Sequence, residues 1–302
     1  MIYALAVLGK NSNIATEPHS MTPNKIISKI YPGMPTSDGA GVKLTRMLGT
    51  PELEILDPFL MLDRMDSDDP DSYIAGFPNH PHRGFETVTY LLAGKMRHED
   101  NAGHGGIIEA GGIQWMTAGR GIIHSEMPEQ ENGRLAGFQL WVNLPASDKL
   151  CNPAYHEYAK DQIPLEHRAE GVDVSVITGV TDQGTTGPVK AVVTKPLYLD
   201  VSLSPGTSLV ESIPEGHAGF VFVIDGKISI RSDGASNSVS ARQLGVLSAG
   251  NSVHIEAEDA DSRVLLVAAQ VLSEPIARYG PFVMNTSAEI EQAIRDFNTG
   301  QF

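Results

Sequence analysis

Residues 77–90 read FPNHPHRGFETVTY, and residues 114–128 read QWMTAGRGIIHSEMP; these two stretches decide the fold. The first contains a His-Pro-His pair and the second contains His-Ser-Glu, so each places two metal-binding side chain types two residues apart. On an extended strand, residues at this spacing leave the same face. Both stretches therefore predict β-strands that carry metal ligands on one face.

The four candidate metal ligands are His80, His82, His124 and Glu126. Two strands side by side in a small barrel would bring these three imidazoles and one carboxylate to one interior point. Nitrogen and carboxylate donors favour a divalent transition metal over magnesium or calcium, which prefer shells made of oxygen. The set contains no thiolate, which argues against a structural zinc site.

Length and charge limit the classes of function. A chain of 302 residues predicts two domains. The 22 Lys and Arg residues against 37 Asp and Glu residues give a net charge of −15, and no basic run interleaved with aromatic residues stands out. Direct binding to nucleic acid or to an anionic membrane is therefore not expected.

The cysteine content and the amino terminus bear on location. Cys151 is the single cysteine, so an internal disulfide is excluded and a reducing compartment, the cytoplasm, is expected. The apolar run Met1–Leu8 is too short to cross a bilayer and lacks the basic flank of a signal peptide. Residues 1–25 are therefore interpreted as an N-terminal extension that is disordered or adds a strand. We expect the chain to act as a monomer.

The pattern of the chain predicts mostly β-structure. Its 30 glycines and 19 prolines separate short segments rich in β-branched and aromatic residues. In the first half, strands are predicted at Thr87–Leu92 and Leu135–Leu144. In the second half, strands are predicted at Asp173–Thr178, Val189–Val193, Leu197–Leu203, Gly219–Ile224, Lys227–Ile230 and Arg263–Val271.

Only the carboxyl-terminal tail is predicted to be helical. Residues 286–289, TSAE, match a capping box, and Gly300 stands where a helix would stop. Between them, Ile290, Ile294 and Phe297 fall on one face of the predicted helix.

The two halves resemble faint copies of each other. Residues 90–96, YLLAGKM, align with residues 222–228, FVIDGKI, and the same offset places Ser212 and Pro214 at the positions of the His-Pro-His pair. The second copy has therefore lost that pair of ligands.

His254 and Glu256 in the second half have the same spacing as His124 and Glu126 and lie in a similar sequence. Two ligands make a poor site, because metals are normally held by three or four side chains. We expect the second copy to be a barrel with a structural role.

Three segments resemble the signature sequences of the pirin family, within the cupin superfamily: residues 77–90, residues 114–128 and the LWVNL of residues 140–144. The likeness extends from about Ile27 to the end of the chain. There, residues 279–286, YGPFVMNT, also resemble the carboxyl terminus of pirins.

The resemblance implies an all-β bicupin fold, in which two antiparallel β-barrels pack face to face and a short helix ends the chain. On this basis residues 26–150 form an N-terminal metal-binding barrel, and residues 151–172 form a connector. Residues 173–302 then form a C-terminal barrel that lacks the metal site and carries the terminal helix.

The resemblance also implies one iron ion in the first barrel, bound by the four residues that the spacing selects. Zinc, manganese, copper and nickel remain alternatives, because cellular supply as well as affinity decides which ion is loaded. Cupins in general take their carboxylate ligand from the position of Glu86, whereas pirins use that of Glu126. Glu86 is therefore the alternative ligand and the alternative catalytic base.

Some pirins oxidise the flavonol quercetin with dioxygen, so the resemblance implies a quercetin 2,3-dioxygenase acting on a flavonol or a related enol. Glu126 is then a candidate base as well as a ligand. The alternative function is non-enzymatic: a redox-sensing regulator that binds a transcription factor or a metabolic enzyme. The acidic charge balance suits a protein partner with a basic surface.

Five residues near the ligand stretches are candidates for the wall of a substrate pocket: Phe77, Arg83, Phe85, His98 and Met116. Three of them would supply the apolar surface that a flat aromatic substrate needs, and Arg83 would steer an anionic one. The same side chains could instead fill the barrel or fix its loops, and His98 could face solvent.

Overall fold

The computed structural model describes residues 24–130, 132–190, 193–232 and 235–302. Nearly all of the predicted N-terminal extension lies outside these residues. Within them the chain forms antiparallel β-sheets and one α-helix, which confirms the prediction of an all-β fold. No helix in the described part of the chain is long and apolar enough to cross a membrane.

Short strands joined by tight turns make up most of the described chain. Those of the first half are β1 (Ile27–Tyr31), β2 (Met34–Asp38), β3 (Val42–Leu48), β4 (Phe59–Ser67), β5 (Phe77–His82), β6 (Phe85–Ala93), β7 (Lys95–Asp100), β8 (Gly105–Glu109), β9 (Ile113–Thr117), β10 (Ile122–Pro128), β11 (Leu135–Asn143) and β12 (Ala154–Tyr158). Those of the second half are β13 (Leu165–Ala169), β14 (Val172–Thr178), β15 (Leu197–Leu203), β16 (Ser208–Ser212), β17 (His217–Asp225), β18 (Lys227–Ser232), β19 (Ala235–Ser240), β20 (Leu244–Leu247), β21 (Ser252–Ala257), β22 (Ser262–Gln270), β23 (Ala277–Tyr279) and β24 (Phe282–Met284).

Each half builds a barrel from a large and a small sheet. In the first barrel the sheet β12-β9-β6-β11-β4-β3-β2 packs on the sheet β5-β10-β7-β8, with Leu91, Met96 and Ile108 in the shared core. In the second barrel the sheet β1-β20-β17-β22-β15-β14-β13 packs on β16-β21-β18-β19. The equal sheet sizes agree with the internal similarity seen in the sequence.

The two large sheets pack on each other through an aromatic core. The rings of Phe138 and Phe222 lie 5.1 Å apart and those of Phe59 and Phe220 lie 5.3 Å apart, both edge to face. All four side chains are fully buried in one cluster that draws on both barrels. Since buried aromatic side chains contribute more apolar area than other residues, this contact fixes the face-to-face arrangement that was predicted.

The chain crosses between the barrels at both ends of the first domain. Strand β1, which the predicted limits place in the first barrel, pairs instead with β20 of the second. Strand β12, inside the predicted connector, extends the first sheet beside β9, and β13 begins the second sheet beside β14. The edges of a sheet need backbone partners, and strand patterning does not reveal which edge a segment will join.

The other predicted elements can be compared directly. Five of the eight strand segments fall within observed strands, and Leu135–Leu144 and Arg263–Val271 each exceed the observed strand, β11 and β22, by one residue. Val189–Val193 is wrong as a strand over its described residues, where Val189 forms a single bridge to Thr178. The predicted helix is confirmed as α1 (Ser287–Asn298), including the capping box of Thr286 and Glu289.

The interior of the second barrel is filled with aliphatic side chains. On β21, Val253, Ile255 and Ala257 point into the buried core. His254 and Glu256 therefore lie on the opposite face of the strand, where Glu256 pairs with Arg231 at 2.5 Å. This arrangement agrees with a structural role for the second barrel.

The carboxyl-terminal tail returns from the second barrel to hold the turn after the His-Pro-His pair. The backbone N–H of Val283 donates to the Arg83 carbonyl at 3.0 Å. Buried Lys149 donates to the carbonyls of Gly84 at 2.7 Å and Val283 at 2.9 Å. Gly84 has φ +85°, and a Cβ atom there would lie 2.0 Å from the Val283 oxygen. Only glycine fits this crossing.

We predict that Gly84→Ala destabilises the first barrel far more than Gly103→Ala. Gly103 has a similar φ of +89° but open space around it, so its variant isolates the backbone penalty of about 1–2 kcal/mol. Gly84→Ala should cost about 1–3 kcal/mol more, because the tail must move. Urea unfolding followed by tryptophan fluorescence measures this, since Trp115 and Trp141 both lie in the first barrel. Equal costs in the two variants would contradict the close contact.

Candidate metal centre

Strands β5 and β10 bring the predicted ligands together. They are antiparallel neighbours in the small sheet of the first barrel, and His80 lies directly opposite His124. His82 and Glu126 follow on the same faces of their strands, two residues along. The nitrogen donors of His80, His82 and His124 all lie within 4.8 Å of one another. Atoms this close can converge on one ion.

The histidine nitrogens lack the partners that buried polar atoms normally have. Neither ring nitrogen of His82 or of His124 has a hydrogen-bond partner among the described residues, and both side chains are buried. Leaving such atoms unpaired is costly, so a bound ion that accepts their lone pairs fits the observation. The residues present therefore suit a metal.

The protonation states of the histidines also suit a metal. The Nδ1–H of His80 donates to the Pro78 carbonyl at 2.9 Å, which leaves Nε2 free to coordinate. Burial lowers the pKa of His124 to about 3, and burial together with the charges of the neighbouring imidazoles lowers the pKa of His82 well below its usual range. The rings of His82 and His124 can thus offer a lone pair at neutral pH.

Glu126 is held by three polar side chains. Its Oε1 accepts hydrogen bonds from Thr89 Oγ1 at 2.8 Å and from His98 Nε2 at 2.8 Å, and its Oε2 accepts one from Gln139 Nε2 at 3.1 Å. Burial alone would raise its pKa, but the bond from His98 and the charges of the imidazoles outweigh burial and leave the pKa well below the usual range. The carboxylate is therefore ionised and fixed in orientation.

Glu126 is not part of the compact cluster of three histidines, although it lines the same cavity as His80 and His82. Its place as the fourth ligand stays a prediction. Thr89 and Gln139, which orient it, were missed by sequence reasoning. The signal was present for Gln139, which is the one polar side chain within the apolar run from Leu135 to Val142.

Glu86 lies on the wrong face of β6 to be the alternative ligand or base. Successive residues of a strand point to opposite sides, and Thr89, three residues along, faces the metal site. The Glu86 carboxylate instead accepts a hydrogen bond from Thr117 Oγ1 at 2.8 Å. This geometry favours Glu126 over Glu86 as the carboxylate ligand, and the assignment stays a prediction.

His80, His82 and Glu126 border a cavity of about 590 Å³. Apolar wall residues are Leu44, Met61, Met65, Phe77 and Trp141. Polar wall residues are Asp38, Arg46, Asp63, Asn79, Gln139 and Arg278. A cavity of this size, mainly apolar with a few placed polar groups, is typical of small-molecule sites. Sequence reasoning did not select the arginines and aspartates, because they come from β2, β3, β4 and β23, which are distant in the chain.

Of the five predicted pocket residues, Phe77 alone lines this cavity. Arg83 turns away to the tail, where it pairs with Asp296 at 2.7 Å and lies 4.4 Å from the centre of the Phe302 ring. Phe85 is buried behind His82, and Met116 is buried in a small apolar cluster.

His98 is neither in a loop nor exposed: it lies on β7, is buried, and bonds to Glu126. The prediction that His98 lines the pocket or faces solvent is therefore wrong. Its side chain instead orients the Glu126 carboxylate. Strand pairing decides this, because Glu126 lies directly opposite His98 across β10 and β7.

Comparison with known proteins now decides the family. The Pirin family model matches residues 41–142, and the model of the pirin C-terminal cupin domain matches residues 198–302. The chain belongs to the pirin family. Together the two matches cover most of the first barrel, the second barrel and the terminal helix.

Relatives of this pirin-family chain match over nearly their whole length. A pirin-like protein of Caulobacter vibrioides is 51% identical over 280 residues, which cover 93% of this chain and 100% of the relative. Human pirin is 44% identical over 269 residues, covering 88% and 89%. The solved structure of a quercetin 2,3-dioxygenase from Acinetobacter baumannii is 34% identical with a TM-score of 0.83, covering 92% and 98%. The predicted bicupin fold of the pirins is thus confirmed.

We predict that Glu126→Gln weakens metal binding and that Glu86→Gln does not. The first change removes a negative charge beside the histidines, and the loss should be on the order of a hundredfold in Kd. The second changes a carboxyl on the opposite face of β6 and serves as the matched control. Competition with a chromophoric iron(II) chelator measures both. Weaker binding in Glu86→Gln alone would restore the general cupin pattern.

Glu86 also predicts a pH dependence of stability. Burial raises its pKa from the usual 4.5 to about 7, so the folded state binds a proton more tightly than the unfolded state. The contribution of Glu86 to the free energy of unfolding is then fully present below about pH 4.5 and is lost as pH rises through about 7. The free energy of unfolding should fall by roughly 3 kcal/mol more in the wild type than in Glu86→Gln between pH 4.5 and pH 8. Urea unfolding at several pH values tests this, and parallel profiles would contradict it.

Proposed function

We propose that this pirin-family chain is a mononuclear metal-dependent dioxygenase that cleaves a flavonol, or a related enol, with iron as the ion in the cell. Three observations support the proposal. The unpartnered ring nitrogens of His82 and His124 suit a divalent transition metal, the cavity beside the histidine cluster is open to small molecules, and a relative that matches over nearly its whole length is a quercetin 2,3-dioxygenase.

The observation that carries the proposal is the position of the cavity relative to the histidines. His80 and His82 line its floor together with Glu126, so a molecule in the cavity reaches the donor atoms directly. A metal with a purely structural role would not need such access. Catalytic metal sites typically keep coordination positions open toward a cavity that binds ligands.

Side chains of the first barrel would position the substrate. Phe77 offers aromatic surface to a flat ring system, and Met61, Met65 and the edge of Trp141 complete an adaptable apolar wall. Closing this wall around a planar substrate would exclude water from the reacting end. When bound, the ion supplies a Lewis acid for the enol oxygen and a redox partner for dioxygen.

Glu126 is the carboxylate that would accept the enol proton. The two other carboxylates of the wall are both bonded to Arg46, Asp63 at 2.7 Å and Asp38 at 2.9 Å. Glu126 is ionised, and the bonds from Thr89, His98 and Gln139 keep it directed at the cavity floor. These bonds fix the orientation of the carboxylate and hold its pKa low, so it would accept a proton only from an acidic enol.

The test is turnover by the iron-loaded protein. Metal is removed and quantified, iron(II) is restored, and the loss of quercetin absorbance is followed together with oxygen uptake. We expect both signals in the wild type and in Glu86→Gln, and at least about a hundredfold slower turnover in His124→Ala because a donor is lost.

Unchanged quercetin absorbance in the iron-loaded wild type, with stoichiometric iron bound, would reject flavonol cleavage. In that event the regulator hypothesis predicts different bound partners for the iron(II) and iron(III) proteins in a pull-down. Equal turnover in His124→Ala and the wild type would reject the assignment of the ligands.

A further inference from the structure

Arg278 stands at the cavity rim and comes from outside the first barrel. It lies on β23, in the tail that returns from the second barrel, and it lines the cavity beside Gly280 and Pro281. Its guanidinium carbon lies 5.0 Å from the centre of the Trp141 ring. Stacking on an aromatic face holds a guanidinium in place and leaves its N–H donors at the edge free to bind.

The other arginine of the wall is already satisfied. Arg46 makes a two-point bond to Asp63, Nε to Oδ1 at 2.8 Å and Nη2 to Oδ2 at 2.7 Å, and a further bond to Asp38. Among the described residues Arg278 forms no ion pair, and its one hydrogen bond is a long contact of 3.5 Å to the Leu60 carbonyl. The cavity thus contains one guanidinium whose donors are open.

Trp141 connects this guanidinium to the metal site. Its ring lies edge to face with His82, 5.1 Å between centres, and carries Arg278 at 5.0 Å. A flat molecule that meets the histidines at one end and lies along Trp141 would place its far end next to Arg278. Arginine at that point favours a planar anionic group that accepts two parallel hydrogen bonds.

We propose that Arg278 is a specificity-determining residue that binds an anionic group on the substrate. The substrate class is then a planar aromatic enol that carries a carboxylate, or a comparably acidic oxygen, at the end remote from the metal. This inference rests on the proposed function for the reacting end of the molecule. The net charge of −15 repels anionic ligands in general. A positive guanidinium at the cavity would offset this repulsion locally and allow an anionic group to bind.

The test compares two ligands that differ in one charge, uncharged 3-hydroxyflavone and its 4′-carboxylate. Binding to the iron(II)-loaded protein is measured by calorimetry under nitrogen, so that no turnover occurs. We expect the wild type to bind the carboxylate about ten- to a hundredfold more tightly, the range for a charge-assisted hydrogen bond. Arg278→Gln should lose this preference and keep its affinity for 3-hydroxyflavone, while Arg278→Lys should keep part of it.

Arg231→Gln is the matched control, because it removes one positive charge from β18 of the second barrel, away from the cavity. It should leave the preference unchanged. Equal affinities for the two ligands in the wild type would overturn the proposal. So would an Arg278→Gln variant that weakens both ligands equally, which would mean that Arg278 only packs on Trp141.

The two proposals fail separately. If the iron-loaded protein turns over 3-hydroxyflavone but binds both ligands equally, the anion site is rejected and the dioxygenase stands. If neither ligand is turned over but the preference is present and depends on Arg278, the anion site stands and the activity is rejected.

Discussion

The antiparallel pairing of β5 with β10 is the interaction on which the metal site depends. It places His80 opposite His124, and the nitrogen donors of these two residues and of His82 lie within 4.8 Å of one another. The turn after His82 is held from outside by Lys149, which donates hydrogen bonds to Gly84 and to the returning tail. A slip of one residue would turn every ligand to the other face of its strand.

The second barrel has the same sheet arrangement but does not carry the three clustered histidines. Its interior is a continuous aliphatic core, and each buried side chain of this kind contributes about 1.5–3 kcal/mol. The first barrel gives up part of that stabilisation to bury polar donors. Its large sheet rests on the second barrel through paired phenylalanines, so the stable barrel supports the functional one.

The second half of the chain also contributes to the site itself. The tail brings Arg278 and Pro281 to the cavity rim and places Arg83 under the terminal helix rather than in the pocket. This explains why four of the five predicted pocket residues lie elsewhere. Closeness in sequence to the ligands selected Arg83, Phe85 and Met116, whereas the cavity wall is assembled from strands far apart in the chain.

The sequence by itself determined the β-character, the capped terminal helix, the cluster of three histidines and the family, because each depends on local periodicity or on residue types at short spacing. Only the tertiary structure places Glu126 beside the cavity and Glu86 on the opposite face of β6, since this depends on how the strands face each other across the barrel. It also decided that β1 joins the second sheet, that His98 and Gln139 orient the carboxylate, and that Arg278 borders the cavity. These contacts join residues that are far apart in the chain, by more than two hundred positions for β1 and β20, and no local sequence pattern predicts them.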